Sequence, residues 1–265
     1  MRIARWCVIA SVVVATTTLA SWTSHVSLAR DSRLAQATGG APPLVERGRA
    51  LFNDTGLSAD GKSSCATCHP DNGHTDNKTY VGLEVVSNGD PRGRSTPTLW
   101  GAGRRAAYSW AGTAPSLGGN IRGIIVNRMK GAEPSADTLA ALVAYVSSLP
   151  YPPNPYVQED GTPGDRAPAA AKRGFALFTG KAACQACHLL PNYDRKDLAD
   201  VGSGGTFKVP SLRAVSRTAP YFHDGRYATL EETVRAMWAY LKKAGAQDTL
   251  SDEEIRDLVA FLNIL

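Results

Sequence analysis

Sulfur and imidazole are scarce in this chain: 265 residues hold five cysteines, three methionines and five histidines. Any metal or redox chemistry must therefore rest on a few particular positions. A strong excess of charge of one sign is also missing. The formal net charge is only +5 and scattered, and no basic stripe with interleaved aromatics is present, which argues against nucleic-acid binding. No apolar run spans a bilayer comfortably, and strand signals are few, so a mainly helical protein is expected. Hydrophobic content of 43% and charged content of 20% describe an ordinary globular composition, with length for one large or two small domains.

The N-terminus reads as an export signal. Arg2 and Arg5 precede an apolar stretch, Trp6 to Ala20, and small residues follow, with cleavage fitting after Ala20 or Ala29. Residues 1–29 are taken as the signal and 30–42 as a flexible leader. An uncleaved anchor is the competing reading; cleavage leaves no stable membrane span. Cys7 leaves with the signal, so four cysteines remain, all in two C-x-x-C-H stretches, and no disulfide framework is available to the exported protein.

Those stretches are Cys65-Ala66-Thr67-Cys68-His69 and Cys184-Gln185-Ala186-Cys187-His188. Cysteines three apart on a helical turn face one side, so both sulfurs can add to the vinyl groups of one haem. The next residue, His, then meets the iron. One zinc held by both Cys pairs would leave the two histidines unexplained. A thioredoxin-like pair needs a strand before it and a helix after it. Two covalently bound c-type haems are expected, with Cys65, Cys68, Cys184 and Cys187 as attachment points and His69 and His188 as iron ligands.

The chain runs through one plan twice. Glu46 to Phe52 reappears as Lys172 to Phe178, Pro97-Thr98-Leu99 as Pro210-Ser211-Leu212, and Tyr108 to Gly112 as Tyr221 to Gly225. Leu139, Leu142, Val143 and Val146 recur at helical spacing, as do Ile255, Leu258, Val259 and Leu262. Ser251 with Glu254 predicts a capping box at the start of the last helix. Between the copies, residues 150–168 carry six prolines and three acidic residues without an apolar period, which predicts a linker. The expected architecture is two tandem cytochrome c-like helical domains, 43–150 and 169–265, joined by 151–168, with one haem each.

What faces the irons across from His69 and His188 decides between a carrier and an enzyme. Outside the motifs and the signal, the histidines are His74 and His223 and the methionines Met129 and Met237. Met237 lies on a helix predicted to start near Thr229 and suits a sixth ligand, which raises a haem's potential. In the repeat alignment it falls opposite Ile124, not Met129, so Met129 is the weaker candidate. Plain core packing competes for both. His74 would have to wrap round the haem edge.

The two motifs, Pro210-Ser211-Leu212-Arg213 and the run Thr218 to Arg226 (TAPYFHDGR) leading to Met237 make the chain resemble the bacterial di-haem cytochrome c peroxidase and MauG superfamily over about residues 44 to 265. The resemblance implies a high-potential C-terminal haem held by His188 and Met237 and an N-terminal peroxide site. It also implies that Trp110 relays electrons between the haems, and that Ser95, Thr218 and Pro220 could hold one calcium ion. The family's removable distal His aligns with Leu83, its distal Gln near Asn120, and its distal Glu with Arg128 or Lys130. MauG-type enzymes put a Tyr on the second iron, a variant Met237 argues against. Arg213 and His223 are candidate propionate partners, and Arg226 is another candidate.

The expected function is periplasmic reduction of hydrogen peroxide with electrons from a small cytochrome c or cupredoxin, received at the C-terminal haem. Trp110, Asn120 and Arg128 are the candidate catalytic residues. The alternative is an electron-transfer protein with both haems His/Met ligated. Homodimerisation is left open.

Overall fold

The computed structural model describes residues 42–246 and 248–265; the expected signal and nearly all of the leader lie outside them. Each half is built on two helices that cross at a glycine. In the first half these are α1 (Pro43–Phe52) and α3 (Ala136–Ser148), with α2 (Leu117–Gly123) between them in sequence. In the second half they are α4 (Ala169–Thr179) and α6 (Asp252–Asn263), with α5 (Leu230–Lys243) between. A side chain at Gly48 would meet Ala141 O at 2.0 Å, and one at Gly174 would meet Asp257 O at 2.0 Å. Only a residue without a Cβ allows the backbones this close.

Around the crossings the apolar faces close into two cores. Phe52 packs edge-on to Tyr145 with centroids 5.1 Å apart, beside Ile125, Leu142 and Met129. Phe178, Tyr193 and Phe261 form the matching aromatic cluster in the second half, with Leu258 and Ile255. Helix starts follow the local chemistry: Ser116, Ser135, Thr229 and Ser251 each accept a first-turn amide on their hydroxyl, which satisfies donors a helix end leaves open. Thr229 with Glu232 and Ser251 with Glu254 complete capping boxes.

Among the described residues, five short strands supplement the helices. β1 (Thr79–Val81), β2 (Glu84–Val86) and β3 (Arg94–Ser95) form an antiparallel sheet in the order β2-β1-β3, with Tyr80 opposite Val85. β4 (Arg195–Asp200) pairs antiparallel with β5 (Thr206–Val209). The segment expected as a surface linker is pinned to both halves: Tyr151 stands over Gly101, and Asn154 donates to Ile264 O at 2.5 Å. Main-chain bonds also join the halves, Ser95 N to His223 O and Gly89 N to Asp224 O at 2.7 Å each, and Lys208 N to Trp110 O at 2.9 Å. Among the described residues no helix is long and apolar enough to cross a membrane.

Candidate functional site

Both C-x-x-C-H stretches fold as helical turns, Cys65–Cys68 as α-helix and Cys184–Ala186 as 3-10 helix. None of the four motif cysteines is in a disulfide. Burial pushes the Cys65 thiol up to about 11 and the Cys184 thiol up to about 12, so each sits in an apolar surround. The two histidines are oriented in the same way. His69 Nδ1 lies 3.1 Å from His74 O, and His188 Nδ1 lies 2.9 Å from Tyr193 O. A carbonyl accepts only, so Nδ1 carries the proton and the Nε2 lone pair is free for a metal. Burial draws His69 down to about 4 against the pull of that carbonyl, and lowers His188 likewise.

His74 therefore lies behind the His69 imidazole, not across from it. Its ring stacks flat on Trp100, with centroids 4.0 Å apart. That removes it as a ligand for the opposite face.

The halves differ where a sixth ligand would stand. Helix α5 runs regularly from its Thr229 cap, and Met237 on it is half-buried without joining the core cluster of its half. Helix α2 starts at the equivalent Ser116 cap but widens into a π turn over Ile124–Arg128. Counting from the caps, Ile124 is the counterpart of Met237. Met129 caps the π turn, is only 4% exposed and belongs to the N-terminal core. Five residues separate it from Ile124, about 7.5 Å along a helix.

Arg128 turns inward from that π turn. Its Nε donates to Gly82 O at 2.6 Å, its guanidinium lies 5.4 Å from the Tyr80 ring centroid, and its buried Nη2 has no partner. Lys130 is exposed, so of the two residues aligned with the distal Glu it is Arg128 that faces in. The Gly82 carbonyl that Arg128 holds belongs to the β1–β2 turn, whose other residue, Leu83, packs on the N-terminal core. Asn120 is half-buried on α2.

Between the halves, Trp110 Nε1 donates to Ser95 O at 2.8 Å, and its ring meets the edge of His223 at 6.5 Å. His223 stacks on Phe207 at 3.7 Å and is buried against Asp224, which Arg226 grips through Nε at 2.9 Å from both carboxylate oxygens. Arg213 stands over Tyr151, its Nε buried without a partner. Ser95 donates to Pro220 O at 3.4 Å, whereas the Thr218 hydroxyl turns to Val215 O at 2.9 Å. Two of the three oxygens expected at calcium thus meet and the third is used elsewhere.

The first half matches the family model described as di-haem cytochrome c peroxidase over residues 42–153, and the second matches that of cbb3-type cytochrome c oxidase subunit III over residues 169–262. The methylamine utilization protein MauG of Methylorubrum extorquens is 33% identical over 84% of this chain and 78% of its own length. The chain belongs to the MauG and di-haem cytochrome c peroxidase family. The cytochrome c551 peroxidase of Pseudomonas aeruginosa is 28% identical over 83% of this chain and 78% of its own. The fold is shared with a MauG-like protein associated with microbial copper homeostasis, at a TM-score of 0.66 and 23% identity, covering 85% of this chain and 88% of that one.

As a di-haem c-type cytochrome of this oxidoreductase family, the chain must accommodate two large, partly anionic groups. The residues fit them. One attachment thiol of each pair, Cys65 and Cys184, lies in an apolar surround, both imidazoles present a free nitrogen, and the half-buried Arg105, Arg128 and Arg213 each hold a buried nitrogen without a partner of the kind a carboxylate completes. The sequence announces neither the π turn nor the inward aim of Arg128; the five-residue mismatch between Met129 and Met237 is the one trace of the former.

Proposed function

We propose that this protein is an exported peroxidase-type enzyme that reduces hydrogen peroxide at its N-terminal site with electrons received at its C-terminal site. The donor would be a small periplasmic cytochrome c or cupredoxin. The observation that carries the reading is the divergence between the halves. A thioether at position 237 follows a regular helix, and an isoleucine at 124 begins a π turn. Haem bound in each half would supply one-electron chemistry.

The chain's own residues divide the work. Cys65, Cys68, Cys184 and Cys187 would attach the haems, His69 and His188 would hold the irons, and Met237 would be a ligand of the second. Leu83 and Ile124 put no donor on the first. Reduction of one peroxide consumes two electrons and two protons and yields two waters. Arg128 would be a fixed cation for the negative charge that develops as the O–O bond breaks, and Asn120, which aligns with the family's distal Gln, would be the amide of α2 on that side. Trp110, bonded to Ser95 and packed on His223, is the aromatic stepping stone between the domains 43–150 and 169–265. No step is routed through calcium at Ser95, Thr218 and Pro220.

A second reading has one observation in its favour: a guanidinium stands where the family's distal Glu would move a proton. Under it the protein only carries electrons. Stopped-flow mixing of the reduced holo-protein with hydrogen peroxide and a donor separates the two. Turnover well above that of free haem supports the enzyme, and turnover no greater than free haem leaves the carrier.

A further inference from the structure

Among the described residues, Tyr80 is the tyrosine whose hydroxyl proton points at a group able to keep it. Its phenol donates to Asp76 Oδ2. Tyr108 and Tyr193 donate instead to the carbonyls of Ala102 and Gly161, Tyr151 shares a bond with the Ser211 hydroxyl, and no other described tyrosine donates to a carboxylate. A carbonyl or hydroxyl accepts a hydrogen bond but not, at ordinary pH, the proton itself, whereas an ionised carboxylate can take either.

The pair is fixed beside the first C-x-x-C-H turn. Asp76 N donates to Cys68 O at 3.1 Å, and Asp76 Oδ1 accepts from Lys78 N at 3.2 Å. Tyr80 lies on β1, 6% exposed, with its phenol close enough to the Cys68 thiol to perturb it. The Arg128 guanidinium stands 5.4 Å from the ring centroid, anchored by its 2.6 Å bond to Gly82 O. Burial, joined by the Asp76 bond, holds the phenol proton on well above the ordinary tyrosine range. Loss of that proton alone would leave a buried anion, and loss of an electron alone would put positive charge in a buried ring facing a guanidinium. Each is costly; loss of both together leaves the ring neutral.

We propose that Tyr80 is a redox residue of the N-terminal site, giving one electron to the oxidising equivalent that hydrogen peroxide leaves there while its hydroxyl proton crosses to Asp76. The O–H bond breaks, Tyr80 becomes a neutral radical and Asp76 a carboxylic acid. One electron arriving from the C-terminal site reverses the step, and the proton returns to the phenol oxygen. The inference rests on the peroxidase reading and adds to it a place that holds an oxidising equivalent until the next electron arrives.

The test is freeze-quench EPR of the fully ferric holo-protein mixed with one equivalent of hydrogen peroxide and no donor, with optical spectra recorded alongside. Wild type is expected to give a tyrosyl signal that narrows when the protein is made with ring-deuterated tyrosine. Y80F should lose the signal. D76N, whose amide can take the bond but not the proton, should lose most of it, and D76E should regain it. Reducing the C-terminal haem beforehand should suppress it, because an electron is then at hand. If Y80F fails to fold, D76N and D76E carry the test. Haems that respond optically to peroxide while wild type gives no tyrosyl signal, or the same signal as Y80F and D76N, would overturn the role of Tyr80 and leave the peroxidase reading standing. An optical spectrum unmoved by peroxide would overturn that reading and the inference with it.

Discussion

Replacing Gly174 with alanine sets two effects of opposite sign against each other. Alanine in a helix interior is worth about 0.5–1 kcal/mol over glycine. Its Cβ, however, would stand 2.0 Å from Asp257 O, 2.6 Å from Asp257 C and 2.7 Å from Phe261 Cβ. The first two obstacles are backbone, so no rotamer relieves them, and α6 must retreat by about 1.4 Å to restore an ordinary contact. That movement loosens Phe261, which is fully buried, and disturbs the Arg173–Asp257 ion pair at 2.6 Å. Overpacking of this kind costs about 1–3 kcal/mol, and more when backbone must shift. The net expectation is a loss of about 1–2 kcal/mol, or about 2–8 °C in melting temperature for a chain of this size. Thermal unfolding of the holo-protein followed by far-UV circular dichroism reads it. G48A, whose Cβ would meet Ala141 O at 2.0 Å, should behave alike. G118A is the control: its Cβ meets Val143 Cγ2 at an ordinary 3.4 Å, so it should be neutral or stabilising. A G174A protein as stable as wild type would refute the close-crossing argument.

Asp224 is fully buried and held by Arg226; D224N should cost about 3 kcal/mol by stranding that cation, seen as a lower denaturant midpoint. Burial alone would raise the Asp224 carboxyl, but Arg226 and His223 outweigh it and hold it below its ordinary value. Its contribution is therefore complete above about pH 4 and is lost as the pH falls further, so D224N should flatten the acid limb of a stability–pH curve. M237A should remove the thioether-to-iron absorption and lower the potential of the C-terminal haem alone, as redox-resolved spectra will show. R128M should reduce kcat/KM for peroxide by about 10²-fold, the scale of one fixed electrostatic donor, with R128K retaining part of the activity in the same steady-state assay.

Much of the scaffold is legible in sequence because its signals are local. A hydroxyl residue followed three positions later by Glu marks the starts of α5 and α6, and the shared offset of the Ser116 and Thr229 caps fixes Ile124 opposite Met237. The strands are less legible, because β1 and β2 are three residues each and β3 only two, too short for alternation to register. The π turn is invisible for another reason: it depends on how Ile125 and Met129 settle into the N-terminal core, not on a residue type. The joins between the halves are main-chain bonds such as Ser95 N to His223 O, and no side-chain pattern encodes those.

The central claim is that the two irons are capped unequally, and an EPR spectrum of the fully ferric holo-protein, with its optical spectrum, tests it most directly. One low-spin His/Met signal together with one high-spin, five-coordinate signal is the predicted result. Two low-spin His/Met signals would contradict it.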